Sequence, residues 1–421
     1  MILAIVLFAV TYVLLLVFPK FRPFIALGSA LVFICTGTLP FDRILAYVNL
    51  NVLLMLVGTM GLVALLIESK MPNKLADMLL NRVPNVKWAI VVLSVFAGVV
   101  SAFIDNVATV LMIAPIALAI AKKLDINPVG MIIAIAVSSN LQGAATLVGD
   151  TTSIMLGGYA GMDFLDFFWF MGRPGIFFAV ELGALFAALL LLFIFRKEKG
   201  KVDSVEVTEV RDYVPSVLML ASILLLIAAS FIPGRPEITN GLICVSLFAV
   251  GLIIKAVRSR SVKALVPTLK EIDLATIGIL FGMFLVVGGI TEAGVVQAIA
   301  DLFTQISGGN LFVIYTILTW FSVLISAFVD NIPYVATMLP VAQGIALTLG
   351  INPTLLYYGL ISGATLGGNL TPVGASANIT GIGILRKAGY TVKNKDFFRI
   401  GIPFTLAAVI PAYIYFWIFF R

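Results

Sequence analysis

Apolar runs long enough to cross a lipid bilayer occupy most of this chain of 421 residues. Crossing the hydrocarbon core takes about 20 residues of helix. The chain is 61% hydrophobic and 11% charged, whereas a soluble globular protein carries roughly 25% charged residues. The runs therefore predict an all-α polytopic membrane protein whose first partner is the lipid bilayer. The ten predicted spans are residues 2–18, 24–39, 51–67, 129–158, 174–195, 213–232, 238–254, 274–291, 353–383 and 400–420.

Several kinds of chemistry are disfavoured by the composition. The chain has no histidine, which is the usual zinc ligand and the usual proton carrier near neutral pH. Its two cysteines, Cys35 and Cys244, lie inside apolar runs and are interpreted as small core residues, with no disulfide framework and no metal site. The first apolar stretch lacks a basic lead and is expected to be a retained helix. We expect no cofactor other than sodium ions, and no enzymatic activity.

The distribution of lysine and arginine predicts which side of the membrane each loop faces. With the N-terminus placed outside, only four of the 27 basic residues fall outside the cytoplasmic segments. The positive-inside rule therefore favours extracytoplasmic N- and C-termini, in a multi-pass protein of the plasma membrane. This topology also explains the net charge of +6, so no nucleic acid partner is expected. The four exceptions are Arg43, Arg173, Arg235 and Arg421.

Two longer apolar blocks, residues 88–121 and 311–349, each carry an aspartate followed by an asparagine near the centre. The predicted topology requires each block to enter the membrane and return to the side from which it came. We therefore predict that each block is a re-entrant helical hairpin with its Asp-Asn pair at the tip. The two pairs are Asp105-Asn106 and Asp330-Asn331.

An internal repeat relates the two halves of the chain. Residues 49–69 align with residues 273–293 without a gap. After an offset of one residue, the two Asp-Asn pairs align with each other, and residues 140–153 align with residues 365–378. Each half has five predicted crossings, an odd number, so the second half enters the membrane upside down. Transporters place a binding site where such inverted repeats meet, so we expect the two tips to meet near the membrane centre. The predicted units are a first repeat of residues 1–196, a cytoplasmic linker of residues 197–212 and a second repeat of residues 213–421.

The aspartates at the two tips require an explanation, because an ionised carboxylate is costly in hydrocarbon. One explanation is that they only cap the helices that follow, but an asparagine caps a helix without the charge. We therefore expect a functional role with capping as part of it, since the caps leave the positive ends of two half-helices pointing at the membrane centre. The predicted sodium ligands are Asp105, Asn106, Asp330 and Asn331.

Glycine, threonine and asparagine cluster inside two predicted spans, at residues 138–153 and 362–383. This composition predicts a broken helix in each half, whose freed carbonyl and hydroxyl oxygens suit sodium. Bare backbone at that depth is tolerated only where it lines a cavity. Close helix packing through small residues accounts for the glycines but not for the polar residues beside them. The candidate binding residues in these segments are Asn140, Thr146, Asp150, Thr151, Asn369, Thr371, Ser376 and Asn378.

Two acidic residues have no acidic counterpart in the repeat. Asp150 aligns with Ala375, and Glu181, deep in the span 174–195, aligns with Ala407. An unshared acid inside a span is a candidate for proton coupling, although for Glu181 a hydrogen-bonded structural role is an equally good interpretation. No lysine or arginine falls at the predicted membrane centre. An anionic substrate would therefore have to be neutralised by cations and half-helix dipoles.

The stretches SAFIDNVATVLMIAPIALAIA, SAFVDNIPYVATMLPV and GGNLTPVGASANITGIGIL resemble the ion transporter superfamily, and the resemblance covers nearly the whole chain. The nearest branch contains arsenite permeases, P-proteins and NhaD-type sodium–proton antiporters, and divalent-anion/sodium symporters are related to it. The resemblance implies that the tips and the segments 146–153 and 371–378 form the substrate and cation sites. It also implies an elevator-like movement of the hairpins and broken helices against a scaffold of the other spans, and a homodimer.

The related divalent-anion symporters carry a Ser-Asn-Thr tip where this chain has its Asp-Asn pairs. A second carboxylate would repel a dianion, so sodium–dicarboxylate symport is disfavoured. We expect a secondary active transporter that uses a sodium or proton gradient to move a small inorganic ion such as arsenite or another oxyanion, with sodium–proton antiport as the alternative. A passive channel fits less well, because paired broken helices in inverted repeats are typical of alternating access. An intramembrane aspartyl protease is also disfavoured, because LVGD at 147–150 lacks the first glycine of a Gly-x-Gly-Asp motif.

Overall fold

The computed structural model describes residues 1–124, 126–201, 206–210 and 212–421, which fold almost entirely into helices. The helices of the first half are α1 (Ile2–Val17), α2 (Arg22–Cys35), α3 (Ile44–Tyr47), α4 (Leu50–Glu68), α5 (Met71–Leu80), α6 (Val86–Ser101), α7 (Asn106–Lys123), α8 (Val129–Gln142), α9 (Thr151–Ala160) and α10 (Ile176–Ile194). Those of the second half are α11 (Val214–Ser230), α12 (Thr239–Ser259), α13 (Val266–Lys270), α14 (Leu274–Glu292), α15 (Val295–Ser307), α16 (Leu311–Ser326), α17 (Asn331–Leu349), α18 (Thr354–Gly367), α19 (Ser376–Lys387) and α20 (Asn394–Phe420). One short antiparallel ribbon pairs β1 (Trp169–Phe170) with β2 (Arg173–Pro174).

The helices recur in the same order in the two halves. Each of α1 to α10 has a counterpart ten helices later, including the short helices α3 and α13 that precede the long helices α4 and α14. The repeat in the sequence is therefore also a repeat of structural elements, while its inversion across a membrane stays a prediction. The predicted linker lies between α10 and α11, and its residues 202–205 and 211 lie outside the described residues.

Seven helices of the described residues are long and apolar enough to cross a membrane, which confirms the polytopic helical class. They are α4, α7, α10, α12, α14, α17 and α20. Two further pairs, α1 with α2 and α15 with α16, pass the same test only together and bend by 114° and 118°. The predicted spans 2–18 and 24–39 are thus short helices joined at a sharp bend. Because α7 and α17 are each long enough to cross, re-entry of the two hairpins stays a prediction.

The helices pack in two groups. In the first group, which we call the scaffold, α4 packs against α12 and α14 packs against α2, with α1 and α11 beside them. These contacts depend on glycine, because a Cβ at Gly58 would lie 2.4 Å from the carbonyl carbon of Cys244. At the aligned Gly282 it would lie 2.5 Å from the carbonyl carbon of Ala26. In the second group, the hairpin group, α6 packs on α8, α16 on α18 and α10 on α20, together with α7, α9, α17 and α19.

Helices α10 and α20 belong to the hairpin group by their contacts. α10 packs on α6 and α8, and α20 packs on α8 and α18. The resemblance counts these two helices among the other spans, but they pack on the broken helices. The movement of the hairpins against a scaffold stays a prediction.

Gly282→Ala should lower the stability of the protein, because the new methyl group would lie within 2.8 Å of three atoms of Ala26. Overpacking of this kind typically costs about 1–3 kcal/mol. Gly278→Ala, one turn earlier on the same helix, is the matched control, since its nearest neighbours are side-chain atoms of Pro23 and Leu27 at 3.6 and 3.8 Å. Thermal unfolding of the detergent-solubilised variants measures the effect, and equal midpoints would contradict the tight α2–α14 contact.

Candidate functional site

The two Asp-Asn pairs lie where each hairpin reverses, between α6 and α7 and between α16 and α17. Asp105 Oδ1 accepts hydrogen bonds from the backbone N–H groups of Val107 and Ala108 at 2.9 and 3.1 Å. Asp330 Oδ1 accepts one from the N–H of Ile332 at 3.1 Å. Both aspartates therefore cap the second helix of their hairpin, as predicted. Each cap uses only one carboxylate oxygen.

Both predicted broken helices are interrupted, and at equivalent places. A 3₁₀ turn and an extended segment separate α8 from α9 and α18 from α19. The hydroxyl of Thr146 donates to the carbonyl of Ala102, just before the first tip. The hydroxyl of Thr371 donates to the carbonyl of Ala327, just before the second tip. These bonds join each unwound segment to the hairpin of its own half, and they supply a partner for a carbonyl that the end of a helix leaves open.

A chain of asparagine side chains joins the first tip to the second half. The Asn106 amide donates to Asn140 Oδ1 at 2.9 Å. Asn140 Nδ2 donates in turn to the carbonyl of Thr365 at 2.7 Å and to Asn369 Oδ1 at 3.1 Å. Asn369 Nδ2 donates back to the carbonyl of Val137 at 2.9 Å. Asn140 and Asn369 are fully buried, so they cross-link the two broken helices at their interruptions.

Asp150 caps α9 at the end of the first unwound segment. Its Oδ1 accepts from the N–H of Thr151 and its Oδ2 from the hydroxyl of Thr152, both at 2.8 Å. The hydroxyl oxygen of Thr152 lies 2.9 Å from that of Thr365, so this acid is also linked to the second half. At the equivalent position, Ala375 provides no side-chain cap. The difference between the halves that the sequence indicated is therefore a difference in how the two helices are capped.

Both tips and Asp150 face one cavity of about 250 Å³, which we call the inner cavity. Eight predicted site residues line it: Asp105, Asn106, Asn140, Asp150, Thr151, Asp330, Asn331 and Ser376. The other four are buried and hydrogen-bonded within the unwound segments: Thr146, Asn369, Thr371 and Asn378. The two tips thus face the same cavity, as the repeat predicts, while its depth in a membrane stays a prediction.

The lining of the inner cavity is acidic. Glu271 and Asp273, at the start of α14, add two carboxylates to those of the tips and Asp150, and no lysine or arginine of the described residues is among its lining side chains. These two acids were not predicted, because they precede the span 274–291 in the sequence. Within the described residues, no three histidine, cysteine, aspartate or glutamate side chains lie close enough to hold one metal ion. The carboxylates therefore create a negative potential across the cavity without forming a closed metal cage.

Arg22 is a functional candidate that the sequence did not reveal. It begins α2, and its Nη1 lies 2.9 Å from Asp330 Oδ2, while its Nε donates to the carbonyl of Leu15 at 3.2 Å. The sequence placed Arg22 in a cytoplasmic connection, whereas the structure brings its side chain to the second tip; the absence of basic residues from the membrane centre stays a prediction. The sharp bend between α1 and α2 brings the guanidinium to the hairpin, and the one signal of that bend is the pair Pro19 and Pro23 around the connection.

Glu181 does not line the inner cavity. Gln142 Nε2 donates to both of its carboxylate oxygens at 2.9 Å. Gln142 is buried at the end of α8, so the acid is held beside the first broken helix and away from the tips. These contacts favour the structural interpretation of Glu181, and a role in coupling stays a prediction for this residue and for Asp150.

Comparison with known proteins gives one family and several relatives. The model of the CitMHS family, described as citrate transporters, matches residues 12–356 and 245–421. An uncharacterized transporter of Mycobacterium tuberculosis is 32% identical over 379 residues, which cover 88% of this chain and 86% of the relative. The P protein of Mus musculus is 26% identical over 447 residues, which cover 86% of this chain and 53% of that protein. These matches confirm the resemblance to the ion transporter superfamily and to its P-protein branch.

Two solved structures are similar in fold. The YdaH transporter of Alcanivorax borkumensis has a TM-score of 0.63 at 13% identity, over 92% of this chain and 88% of that one. MtrF of Neisseria gonorrhoeae, from a class described as antimetabolite efflux pumps, has a TM-score of 0.59 at 16% identity, over 92% and 83%. At these identities the likeness shows the fold alone, which is that of helical membrane transporters.

Asn140→Ala should destabilise the protein, because it removes the partner of Asn106 and one partner of Asn369. A buried polar group left without its hydrogen bond costs about 1–3 kcal/mol. Ser94→Ala is the matched control, because Ser94 is equally buried but its hydroxyl bonds only to the carbonyl of Ile90 in its own helix. Thermal unfolding of both variants measures the difference, and a loss no larger than that of the control would contradict the cross-linking role.

Proposed function

We propose a cation-coupled mechanism for this chain, which belongs to the CitMHS citrate transporter family and is a secondary transporter. A sodium ion or a proton bound in the inner cavity couples an ion gradient to the movement of a small inorganic ion. One observation carries the proposal. Three carboxylates, those of Asp105, Asp150 and Asp330, face one cavity whose lining side chains include no basic group among the described residues.

Asp105 is the best-placed ligand for the coupling cation. Its Oδ1 accepts two backbone hydrogen bonds, and its Oδ2 has no hydrogen-bond partner among the described residues. Asp330 Oδ2 is already paired with Arg22, and Asp150 uses both of its oxygens. A carboxylate oxygen with free lone pairs is the hard ligand that sodium prefers, and the same oxygen is able to take up a proton.

The acidic lining restricts the transported species. The carboxylates that line the inner cavity repel a free anion. An anionic substrate therefore has to enter together with a cation or as its neutral, protonated acid. Arsenite meets this condition as an undissociated acid near neutral pH, and it remains the leading example of the small inorganic class. Citrate, which the family description names, meets it only when cations accompany the carboxylates. Sodium–proton antiport is the second candidate function, and the free Asp105 oxygen favours it.

Alternating access is supported by a second cavity. An outer cavity of about 970 Å³ is lined by the start of α4, the ends of α9 and α14, and the connection between α11 and α12. The inner cavity lies at the other ends of α4 and α14. We propose that the hairpin group moves between these cavities against the scaffold, in a plasma-membrane protein with both termini outside. The homodimer is proposed on the resemblance alone.

Flux in proteoliposomes tests the proposed function. Purified protein is reconstituted, sodium or proton gradients are imposed, and the movement of sodium, protons, arsenite and citrate is followed. The expected result is that one imposed gradient drives one of the other species against its own gradient. Equilibration of an ion without any coupling would identify a passive channel and would overturn the proposal.

Asp105→Asn and Asp330→Asn should each abolish coupled transport and leave the fold intact. Asparagine keeps the capping oxygen but removes the charge, and the loss of about 1.4 kcal/mol of cation binding already lowers affinity tenfold. Asp42→Asn, at an exposed position before α3, is the control and should transport normally. Flux and size-exclusion profiles are measured together, and wild-type flux in both tip variants would show that the carboxylates serve only as caps.

Asp150→Asn should flatten the pH dependence of sodium-driven flux. Asp150 and Asp105 face the same cavity, so protonation of Asp150 removes a negative charge that favours sodium at Asp105, and the apparent sodium affinity of the wild type should fall as the pH falls. Glu181→Gln is the matched control, because Glu181 is acidic and unshared between the repeats but does not line the inner cavity. Sodium dependence is measured from acid to alkaline pH. A flattened profile in Glu181→Gln, with an unchanged profile in Asp150→Asn, would move the coupling site to Glu181.

A further inference from the structure

The inner and outer cavities lie against equivalent faces of the two repeats. The inner cavity touches Met60, Val63 and Ile67 on α4, whose repeat equivalents on α14 touch the outer cavity: Phe284, Val287 and Thr291. The hairpins differ, however. The inner cavity reaches α7 directly after the tip, at Val107, whereas the outer cavity reaches α17 only from Ala336 onward. The two hairpins therefore sit at different heights against equivalent scaffold helices.

The second hairpin is docked on the scaffold, and the first is not. α17 packs against α14, whereas the inner cavity separates α7 from α4. Leu111, six residues after the first tip aspartate, is 48% exposed. Ala336, six residues after the second, is 6% exposed. The same hairpin position is thus largely exposed in one half, whereas in the other it is nearly buried at the wall of the outer cavity.

Side chains on either side of the α1–α2 connection hold the second tip. Arg22 pairs with Asp330 at 2.9 Å, and the hydroxyl of Tyr12 donates to the carbonyl of Pro333 at 2.7 Å. By the repeat, the corresponding connection for the first tip is the one between α11 and α12. Among the described residues, that connection makes no hydrogen bond or ion pair with Asp105.

The α11–α12 connection carries an arginine that is incompletely paired. Arg235 directly precedes a proline between α11 and α12, and Arg22 directly precedes a proline in the first turn of α2. Its Nη2 pairs with Asp163, whereas its Nη1 is buried without a hydrogen-bond partner among the described residues. Asn240 Oδ1, in the first turn of α12, is buried and unpartnered in the same way. Both residues line the outer cavity, and such unsatisfied buried groups call for an explanation.

Asn240 occupies in α12 the position that Arg22 occupies in α2. Arg22 lies four residues before Ala26, which packs on a glycine of α14, and Asn240 lies four residues before Cys244, which packs on the aligned glycine of α4. The preceding loop then brings Arg235 to the same end of α12. Arg235 and Asn240 therefore offer a guanidinium donor and an amide acceptor at the end of α12 that corresponds to the end of α2 carrying Arg22.

We propose that Arg235 and Asn240 form the docking site of the first tip, Asp105-Asn106, in the opposite-facing state, as Arg22 docks Asp330 in the state described here. This inference rests on the alternating access proposed above. Arg235 and Asn240 are positioning residues, since they act through the tip and not on the transported ion. Their unpartnered atoms are explained, because the tip that satisfies them is undocked in this state and faces the inner cavity.

Docking exchanges the counter-ions of the two tips. In the state described here, Arg22 neutralises Asp330 and leaves Asp105 free for a cation from the inner side. In the opposite state, Arg235 leaves Asp163 for Asp105, and Asp330 becomes free for a cation from the outer side. One tip is held by an arginine and the other by the coupling cation in each state, so neither carboxylate is left buried without a partner.

Labelling of two reporter cysteines tests the proposal, in a chain whose native Cys35 and Cys244 are replaced. Leu111→Cys, largely exposed here, should react faster with a membrane-impermeant maleimide in the state described here, and Ala336→Cys, nearly buried here, should react faster in the opposite state. Arg22→Gln should lower the ratio of Leu111→Cys to Ala336→Cys labelling, and Arg235→Gln should raise it, each by about fivefold, as the loss of a partly exposed ion pair allows. A merely structural arginine would lower stability without moving the ratio in opposite directions, and shifts of the same sign in both variants would overturn the proposal.

Cross-linking tests directly whether each tip lies beside its proposed arginine. It also provides a second test if Arg22→Gln or Arg235→Gln fails to fold. Arg22→Cys with Ile332→Cys should be joined by a short thiol-specific linker in the state described here. Arg235→Cys with Val107→Cys, the equivalent pair, should be joined only when an imposed ion gradient protects Leu111→Cys. Arg235→Cys with Ile332→Cys is the control and should not be joined in either state.

The outcomes separate this inference from the proposed function. Docking is wrong if gradients change the reporter labelling but the Arg235→Cys and Val107→Cys pair never cross-links; alternating access survives that result. Alternating access is wrong, and docking with it, if no gradient changes the labelling of either reporter and no coupled flux is found. The docking site is supported if Arg22→Gln and Arg235→Gln shift the labelling ratio in opposite directions. Support also requires that both cysteine pairs, Arg22→Cys with Ile332→Cys and Arg235→Cys with Val107→Cys, are cross-linked.

Discussion

The need to satisfy polar backbone inside an apolar protein controls the architecture around the site. Two helices are unwound at their centres, and the carbonyls and N–H groups freed there cannot remain unpaired in an environment without water. Asn140 and Asn369 answer this need by cross-linking the two interruptions. Thr146 and Thr371 tie each interruption to its hairpin. These bonds hold the unwound segments against each other and against the hairpins whose tips line the inner cavity.

Two nearly identical tips have become chemically different through their surroundings. Both aspartates cap a helix with one oxygen, but Arg22 occupies the other oxygen of Asp330, and that of Asp105 is left to the cavity. The pairing needs only a modest ion-pair energy, because both side chains are partly exposed, at 21% and 19%. A modest energy suits the opening and closing of this contact that the proposed alternating access requires, whereas a fully buried pair would be costly to separate.

The comparisons agree on the fold, whereas the transported species depends on the residues that line the inner cavity. YdaH and MtrF share the arrangement of helices at 13% and 16% identity, and a fold supports different transported species when its lining residues differ. In this chain the polar part of the lining consists of five carboxylates with amides and hydroxyls. The charge of the cavity, together with the membership of the CitMHS family, therefore directs attention to a cation as one of the species that the protein binds.

The sequence by itself determined the features that depend on neighbouring residues: helical spans, the repeat of elements, the caps formed by Asp105 and Asp330, and the two interruptions. Run length, capping preference and clusters of glycine act locally, so they can be read along the chain. Only the tertiary structure brought Arg22 to Asp330 across 308 residues, added the acids at the start of α14, and placed α10 and α20 with the hairpins. These contacts join distant parts of the chain through the bend between α1 and α2 and through helix packing. Neither the bend nor the packing leaves a periodic pattern in the sequence, because packing depends on the shapes of both surfaces at once.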